Sequence, residues 1–416
     1  MDMNWLMLGG VEIVNTARVQ AYTVGGCGGA QVGCSCPGLA QAIEGDDDFP
    51  GYGQDPVSDG APWVDPAVPE SADFLGIVGL DGEGLSVGTA SRTPVDLALG
   101  GANIGALRHR RREFTIKVTL VARSQAGLSY GSAWLASQLE GDDDCWGSEA
   151  CLFAWCPSTA AEGDRAVRHL YDTGLLEGPT PTALFKASEE VWYQATEFVL
   201  VAGNSYLYSD PYIELDHRDG VQDIVRVPPG GIEAECVDAP PCAYDPDCPP
   251  PPLPPLPPQP VDPCWPTTGF QAQRTMFSVA PGGVAAAYDT VPIVRVETGD
   301  APLRRLSVRF YANPTGAPCS RFIDRCLACG EANVAYLPAG SVLTLDGRRQ
   351  RTVLDCSGGR GLALSEPTPF GPNGGLFSWP VISCANGLCV EVLWQRHGAA
   401  DNVRVNIDMA SRQAVI

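Results

Sequence analysis

Between Arg112 and Ala122 the chain alternates, with Phe114, Ile116, Val118 and Leu120 apolar and Thr115, Lys117 and Thr119 polar between them. A period of two predicts a strand with one face buried. The period then changes. Ser124 stands where a helix N-cap belongs. Leu128, Leu135 and Leu139 follow at spacings of seven and four, with Gly131 and Ser132 on the same side and Tyr130 and Trp134 one turn apart. Gly141 closes the helix, and Asp142, Asp143 and Asp144 make a solvated turn after it. The pattern predicts a strand feeding a single helix, in a chain otherwise rich in strands and turns. That helix is expected to lie across a β-sandwich.

Elsewhere the apolar pattern is in short pieces. Gly9 to Val19 reads as two strand-like segments around Asn15. Residues 25–60 have no period, and Cys27, Cys34, Cys36 and the run Asp46-Asp47-Asp48 suggest a long loop tied locally by cysteines. Strand signals return from Ala72 to Leu99, and Cys151 to Pro157 is apolar enough for an interior strand. Residues 169–176 and 190–202, with a turn at Gly178-Pro179, read as two antiparallel strands closing a first sandwich. Further on, Asp346-Gly347 and Asn386-Gly387 each predict a two-residue hairpin. With Asn386-Gly387 as the turn, Cys384 faces Cys389 at a non-hydrogen-bonded pair. There the Cα atoms lie about 4.5 Å apart, within disulfide range. A Cys384–Cys389 disulfide is therefore expected. Strands at 306–310 and 403–407 complete a second sandwich.

Composition refines this outline. A length of 416 residues suggests two or three domains, and 47 Gly with 37 Pro favour a mainly β architecture. The clearest boundary is the polyproline run from Pro249 to Pro258, flanked by Cys236, Cys242, Cys248 and Cys264, which predicts a semi-rigid spacer. The expected domains are 1–227, containing the cysteine-rich loop 25–60, a linker at 228–266, and 267–416. The net charge of −22 disfavours sequence-specific nucleic-acid binding. No apolar run reaches the roughly 20 residues of a membrane helix, so no membrane insertion is expected. The first residues carry no Lys or Arg before their apolar patch, which argues against a secretory signal. Sixteen cysteines are many for such a chain.

The search for chemistry finds little. His109, His169, His217 and His397 sit in no catalytic motif and read as surface or strand residues. The Asp runs lack the spaced ligands of a calcium loop. Cys326 and Cys329 form one Cys-x-x-Cys pair, which names them as zinc candidates but lacks a matching second half. The expectation is no catalytic residue, no cofactor, no metal and no enzymatic activity. Arg108 to Arg112 forms a dense basic cluster with His109 inside it, suited to pairing with acidic surface on the same or a neighbouring subunit.

The succession of these features resembles a known family. Val11-Glu12-Ile13-Val14-Asn15-Thr16-Ala17-Arg18 is followed by the Glu113–Ala122 strand, the helix with Tyr130-Gly131-Ser132-Ala133-Trp134-Leu135, the Cys151–Pro157 strand, and Glu197 to Gly203 before Tyr206 to Pro211. Together they resemble minor tail proteins of long-tailed phages infecting actinobacteria, in particular the distal tail protein. The resemblance covers most of residues 9–215 and, more loosely, the C-terminal sandwich. It implies a tube-like β-sandwich with one packed helix plus a second, galectin-like β-sandwich. It also implies a structural virion protein in a homo-hexameric ring at the tail tip, assembled in the host cytoplasm. Its partners would be the tail tube protein, tail hub or other tail-tip proteins, and the tape measure protein. Edge-to-edge pairing of the 114–121 strand names Arg108, Arg110, Arg111, Arg112, Phe114 and Ile116 as ring-interface candidates. The acidic balance suits a channel that DNA slides through. An alternative from another class is a protein that grips host-surface glycan through the C-terminal sandwich, with Trp379 and Trp394 as the contact residues.

Overall fold

The computed structural model describes residues 3–23, 36, 38–85, 90–96, 102–105, 108–141, 148–188, 191–227, 270–280, 289–313, 319, 328–356, 364–365, 367–371, 375–383 and 387–413. The protein is mainly β, and its strands pair antiparallel. The chain divides into two compact units, Met1–Asp210 with Ser411–Ile416, and Pro211–Ala410.

In the first unit the strands are β1 (Trp5–Leu8), β2 (Val11–Asn15), β3 (Phe74–Glu83), β4 (Arg112–Ala122), β5 (Ser148–Phe153), β6 (Val167–Ser188), β7 (Val191–Ala202) and β8 (Leu207–Tyr208). They form a sheet in the order β2-β1-β5-β6-β7-β4-β3, with β8 on the other side of the start of β6. Strand β4 is as its alternation predicts: Phe114, Ile116, Val118 and Leu120 are fully buried in the core with Phe198 and Leu200 of β7. Each such side chain contributes about 1.5–3 kcal/mol of apolar burial.

The predicted helix is α3 (Gln125–Glu140), which packs across β3, β4, β6 and β7. Ser124 caps it, its Oγ accepting from the Gly127 amide at 3.0 Å and donating to Asp73 at 2.6 Å. Gly131 is required by a close approach: a Cβ there would lie 2.2 Å from the Phe74 ring. Tyr130 and Trp134 both engage Trp63, the first by a 2.7 Å hydrogen bond to its carbonyl, the second edge-on at 5.9 Å.

This helix has company. The segment after Asn15, expected as a strand, is α1 (Thr16–Tyr22), because the Asn15 side chain accepts from the Arg18 amide and caps it. Two more short helices, α2 (Leu39–Glu44) and α4 (Ala160–Ala166), pack on each other. Asp47, in the run expected to lie in a long loop, accepts from the Ala160 amide at 2.7 Å at the start of α4. A disulfide joins Cys36 to Cys156, with Cα atoms 5.4 Å apart. Cys36 is thus tied across 120 residues of sequence rather than locally. Cys27, Cys34 and Asp142–Asp144 lie outside the described residues.

The second unit holds β9 (Ile213–Leu215), β10 (Val221–Val227), β11 (Phe270–Val279), β12 (Asp289–Glu297), β13 (Leu303–Asn313), β14 (Gly330–Leu337), β15 (Val342–Asp346), β16 (Arg351–Asp355), β17 (Gly387–Gln395) and β18 (Arg404–Gln413), whose last three residues belong to the first unit. One sheet runs β10-β11-β17-β13-β14 and the other β9-β18-β12-β15-β16. Between them lies a core that includes Phe277, Val294, Val308, Phe310, Leu343, Val390, Val392 and Val405.

Several expectations are corrected here. The boundary falls after Asp210 rather than at 227, and the C-terminal residues return to the first unit. Strands β10 and β11 pair, Val227 opposite Phe270. Residues 228–269, which lie outside the described set, therefore connect two strands of one sheet instead of two domains. The Asp-Gly hairpin exists, but Asp346 pairs with Arg351, so the loop is 347–350. The two strands expected to flank an Asn386-Gly387 turn do not pair with each other: Ile382–Ser383 pairs with β12, whereas β17 pairs with β11 and β13 in the other sheet; Asn386 itself lies outside the described residues. The expected Cys384–Cys389 disulfide is replaced accordingly. Cys389 is bonded to Cys319, Cα to Cα 5.8 Å, and Cys384 lies outside the described residues.

Candidate functional site

The ring-interface candidates divide. Arg108 lies on a two-residue ribbon with Ala90–Ser91, Arg110 donates to Ser91 at 3.0 Å, and Arg111 pairs with Glu113 at 2.7 Å on the surface. Arg112 is buried, donating to the carbonyls of Ser205, at 2.9 Å, and Leu85. Burial pushes its guanidinium down to about 10. Phe114 and Ile116 are core residues. Strand β4 is paired along both edges, with β7 from Arg112 to Ala122 and with β3 from Thr115 to Ala122. Arg112, Phe114 and Ile116 are therefore corrected as interface residues, because their side chains are buried within the single chain and from Thr115 on the strand has a neighbour on each side.

Besides the end strands β2 and β3, each paired on one side only among the described residues, β6 also carries a bare edge. Its first residues pair with β5 as far as Thr173, and its inner edge pairs with β7 from Thr173 to Ser188. Among the described residues no strand pairs with the outer edge beyond Thr173. Leu176, Leu184 and Phe185 on this stretch are 47%, 55% and 47% exposed. Leu184 and Phe185 are consecutive, so they face opposite sides of the strand. Phe185 stacks on Tyr193 at 5.4 Å. Pro179 and Pro181 remove two amides from the row, and register shifts interrupt the pairing around them.

The base of the same strand carries a polar cluster. Glu149 and Cys151 lie two residues apart on β5 and so share a face, and His169 on β6 pairs directly opposite Cys151. His169 Nδ1 lies 2.7 Å from Glu149 Oε1 and 3.1 Å from Cys151 Sγ, while Nε2 lies 2.8 Å from Asp210 Oδ1. The imidazole is largely buried and Glu149 is partly open to solvent. Burial would lower the basicity of His169, but hydrogen bonds to Asp210, Cys151 and Glu149 outweigh it and raise the imidazole to about 11. The sequence marked His169 as a strand residue and gave no signal for the cluster, because its members come from three segments.

Of the zinc candidates, Cys326 lies outside the described residues and Cys329 is an exposed thiol. His109 packs on Tyr206 at 4.7 Å, His217 lies 2.9 Å from Gln222 Nε2, and His397 is exposed. Of the glycan candidates, Trp394 is buried in the second core and cannot form a shelf. Trp379 is half-buried against Phe377 at 4.8 Å.

The outer face of the β10-β11-β17-β13-β14 sheet holds a row of alternating charge instead. Asp223 meets Arg274 at 2.5 Å, Arg274 meets Glu391 at 3.5 Å, Arg309 meets Glu391 at 3.1 Å, and Arg309 meets Glu331 at 3.4 Å. Tyr311 donates to Glu391 at 3.0 Å. Each charge in this row is neutralised by a neighbour on the next strand, the arrangement that buried ions require. No described helix is long and apolar enough to cross a membrane.

No family model matches this sequence, and no curated protein matches it. Among solved structures, the chain is similar to the Dit protein (gp 19.1) of phage SPP1, described as a paradigm of the hub adsorption apparatus in phages infecting Gram-positive hosts. The identity is 10% and the TM-score 0.35, over 81% of this chain and 93% of that one.

Proposed function

We propose that this chain is a structural protein of a phage tail, without catalytic activity, that joins copies of itself into a ring at the distal end of the tail tube. The observation that carries the reading is the outer edge of β6 beyond Thr173, which no described strand pairs and which presents Leu176, Leu184 and Phe185 to solvent. Soluble monomers usually cover or charge such an edge. Pro179 and Pro181 limit continuous backbone pairing, so contact between copies runs through the side chains and the Thr182–Lys186 stretch. An edge that meets a different surface on the next copy makes a head-to-tail contact, which closes into a ring when the rotation allows.

The sequence resemblance supplies the rest of the reading: six copies, the tail tube protein on one side, and hub and tape measure proteins as further partners in the virion. The glycan-binding alternative has lost Trp394 to the core and has no observation in its favour. Native mass spectrometry of the purified chain, with class averages from electron microscopy, tests the reading. A closed ring of copies is expected. A chain that stays monomeric at all accessible concentrations, and that does not join purified tail tubes, overturns it.

A further inference from the structure

We propose that Glu149, Cys151 and His169 bind one divalent transition metal of the zinc class, with Asp210 orienting the histidine. The site is independent of the ring reading. Its carboxylate oxygen, thiol sulfur and imidazole Nδ1 all lie within 4.8 Å of one another. A tetrahedral zinc site, with bonds of about 2.0–2.3 Å, separates its ligand atoms by about 3.3–3.6 Å. The three separations here are 2.7, 3.1 and 3.8 Å. An ion would enter by moving side-chain atoms a few tenths of an ångström, with no change in the backbone.

The second nitrogen strengthens the case. Asp210 Oδ1 sits 2.8 Å from Nε2. It therefore accepts the Nε2 proton, which leaves Nδ1 as the nitrogen that faces Cys151 and Glu149 and that would give up its proton to an entering metal. A carboxylate behind a ligating histidine is the usual outer partner of a metal site. Thiolate with imidazole selects zinc-class ions over magnesium or calcium, which take oxygen ligands. Ionised Cys151 and Glu149 balance a dication, and the partial exposure of Glu149 leaves a fourth position for water. Binding releases the thiol proton and any proton on Nδ1. The competing reading is an ion pair of protonated His169 with Glu149 and Asp210, beside an idle thiol.

The test is titration of the full chain, disulfides intact, with Co²⁺ as a spectroscopic substitute. The expected result is a thiolate-to-cobalt charge-transfer band that saturates at one equivalent and is displaced by Zn²⁺. Cys151→Ser should remove it, and Asp210→Asn should weaken binding about 10- to 100-fold. No band, or a band unchanged in Cys151→Ser, overturns the proposal. A second measurement needs no variant: Zn²⁺ should slow alkylation of Cys151, read by peptide mapping, and a chelator should reverse the effect. Equal alkylation with and without Zn²⁺ also overturns it.

Discussion

Replacing Leu184 and Phe185 together by glutamate should dissolve the ring while leaving each copy folded. About half of each side chain is open in the single chain. Full burial of such a residue is worth about 1.5–3 kcal/mol, so covering the open half contributes about 0.75–1.5 kcal/mol each. The double substitution removes about 1.5–3 kcal/mol per contact, a roughly 10- to 150-fold weaker association between neighbours. That loss recurs at every contact of a ring. The fold should tolerate the change, since exposed substitutions usually stay within about 0.5 kcal/mol and only the Phe185–Tyr193 stacking is lost inside the chain. Sedimentation velocity across a concentration series reads the assembly, and thermal unfolding of the dilute chain reads the fold. Arg111→Glu, on the basic cluster, is the comparison. If the double variant assembles as well as the parent while Arg111→Glu does not, the contact lies at the basic cluster and the argument from β6 is refuted.

Other outcomes follow from the same structure. Arg112→Ala should cost about 2–4 kcal/mol in denaturant unfolding, because the Ser205 and Leu85 carbonyls lose a buried charged donor; a loss below 0.5 kcal/mol would mean the guanidinium is not buried. Peptide mapping under non-reducing conditions should recover Cys36 joined to Cys156 and Cys319 joined to Cys389, and a Cys384–Cys389 peptide would contradict the second pair. Cys36→Ser should cost up to about 5 kcal/mol, the loop-closure value for a closed loop of this size, measured by urea unfolding of oxidised protein. Glu391→Ala leaves Arg274, Arg309 and Tyr311 without their shared carboxylate. The expected loss is about 3–5 kcal/mol, confined in hydrogen exchange to the sheet of β10, β11, β17, β13 and β14. Exchange accelerated equally in the first unit would refute that localisation.

How legible each part was depends on how far apart its determinants lie. Strand β4 and helix α3 were readable because each encodes its own period over eleven and sixteen residues, and Ser124 marks the change with a cap that acts three residues away. The short helices were not. At seven, six and seven residues, α1, α2 and α4 are below the length at which a helix stands alone. They exist because Asn15 and Thr159 cap two of them and because α2 and α4 pack on each other beside a disulfide. Cys319 and Cys389 are 70 residues apart, and nothing local pairs them. The Asn386-Gly387 reading failed for a related reason: a turn-forming dipeptide states that the chain can reverse, not which strand lies beside it.

What the sequence by itself determined is therefore the mainly β class, the alternation that buries one face of β4, and the capped helix across the sheet. These follow from side-chain period and local hydrogen bonding, which act over a few residues. The tertiary structure alone decided that β4 is enclosed and β6 is open, that Cys389 meets Cys319, and that Glu149, Cys151, His169 and Asp210 converge. Strand order and cross-strand neighbours are set by packing between segments distant in the chain, and no local pattern carries that information.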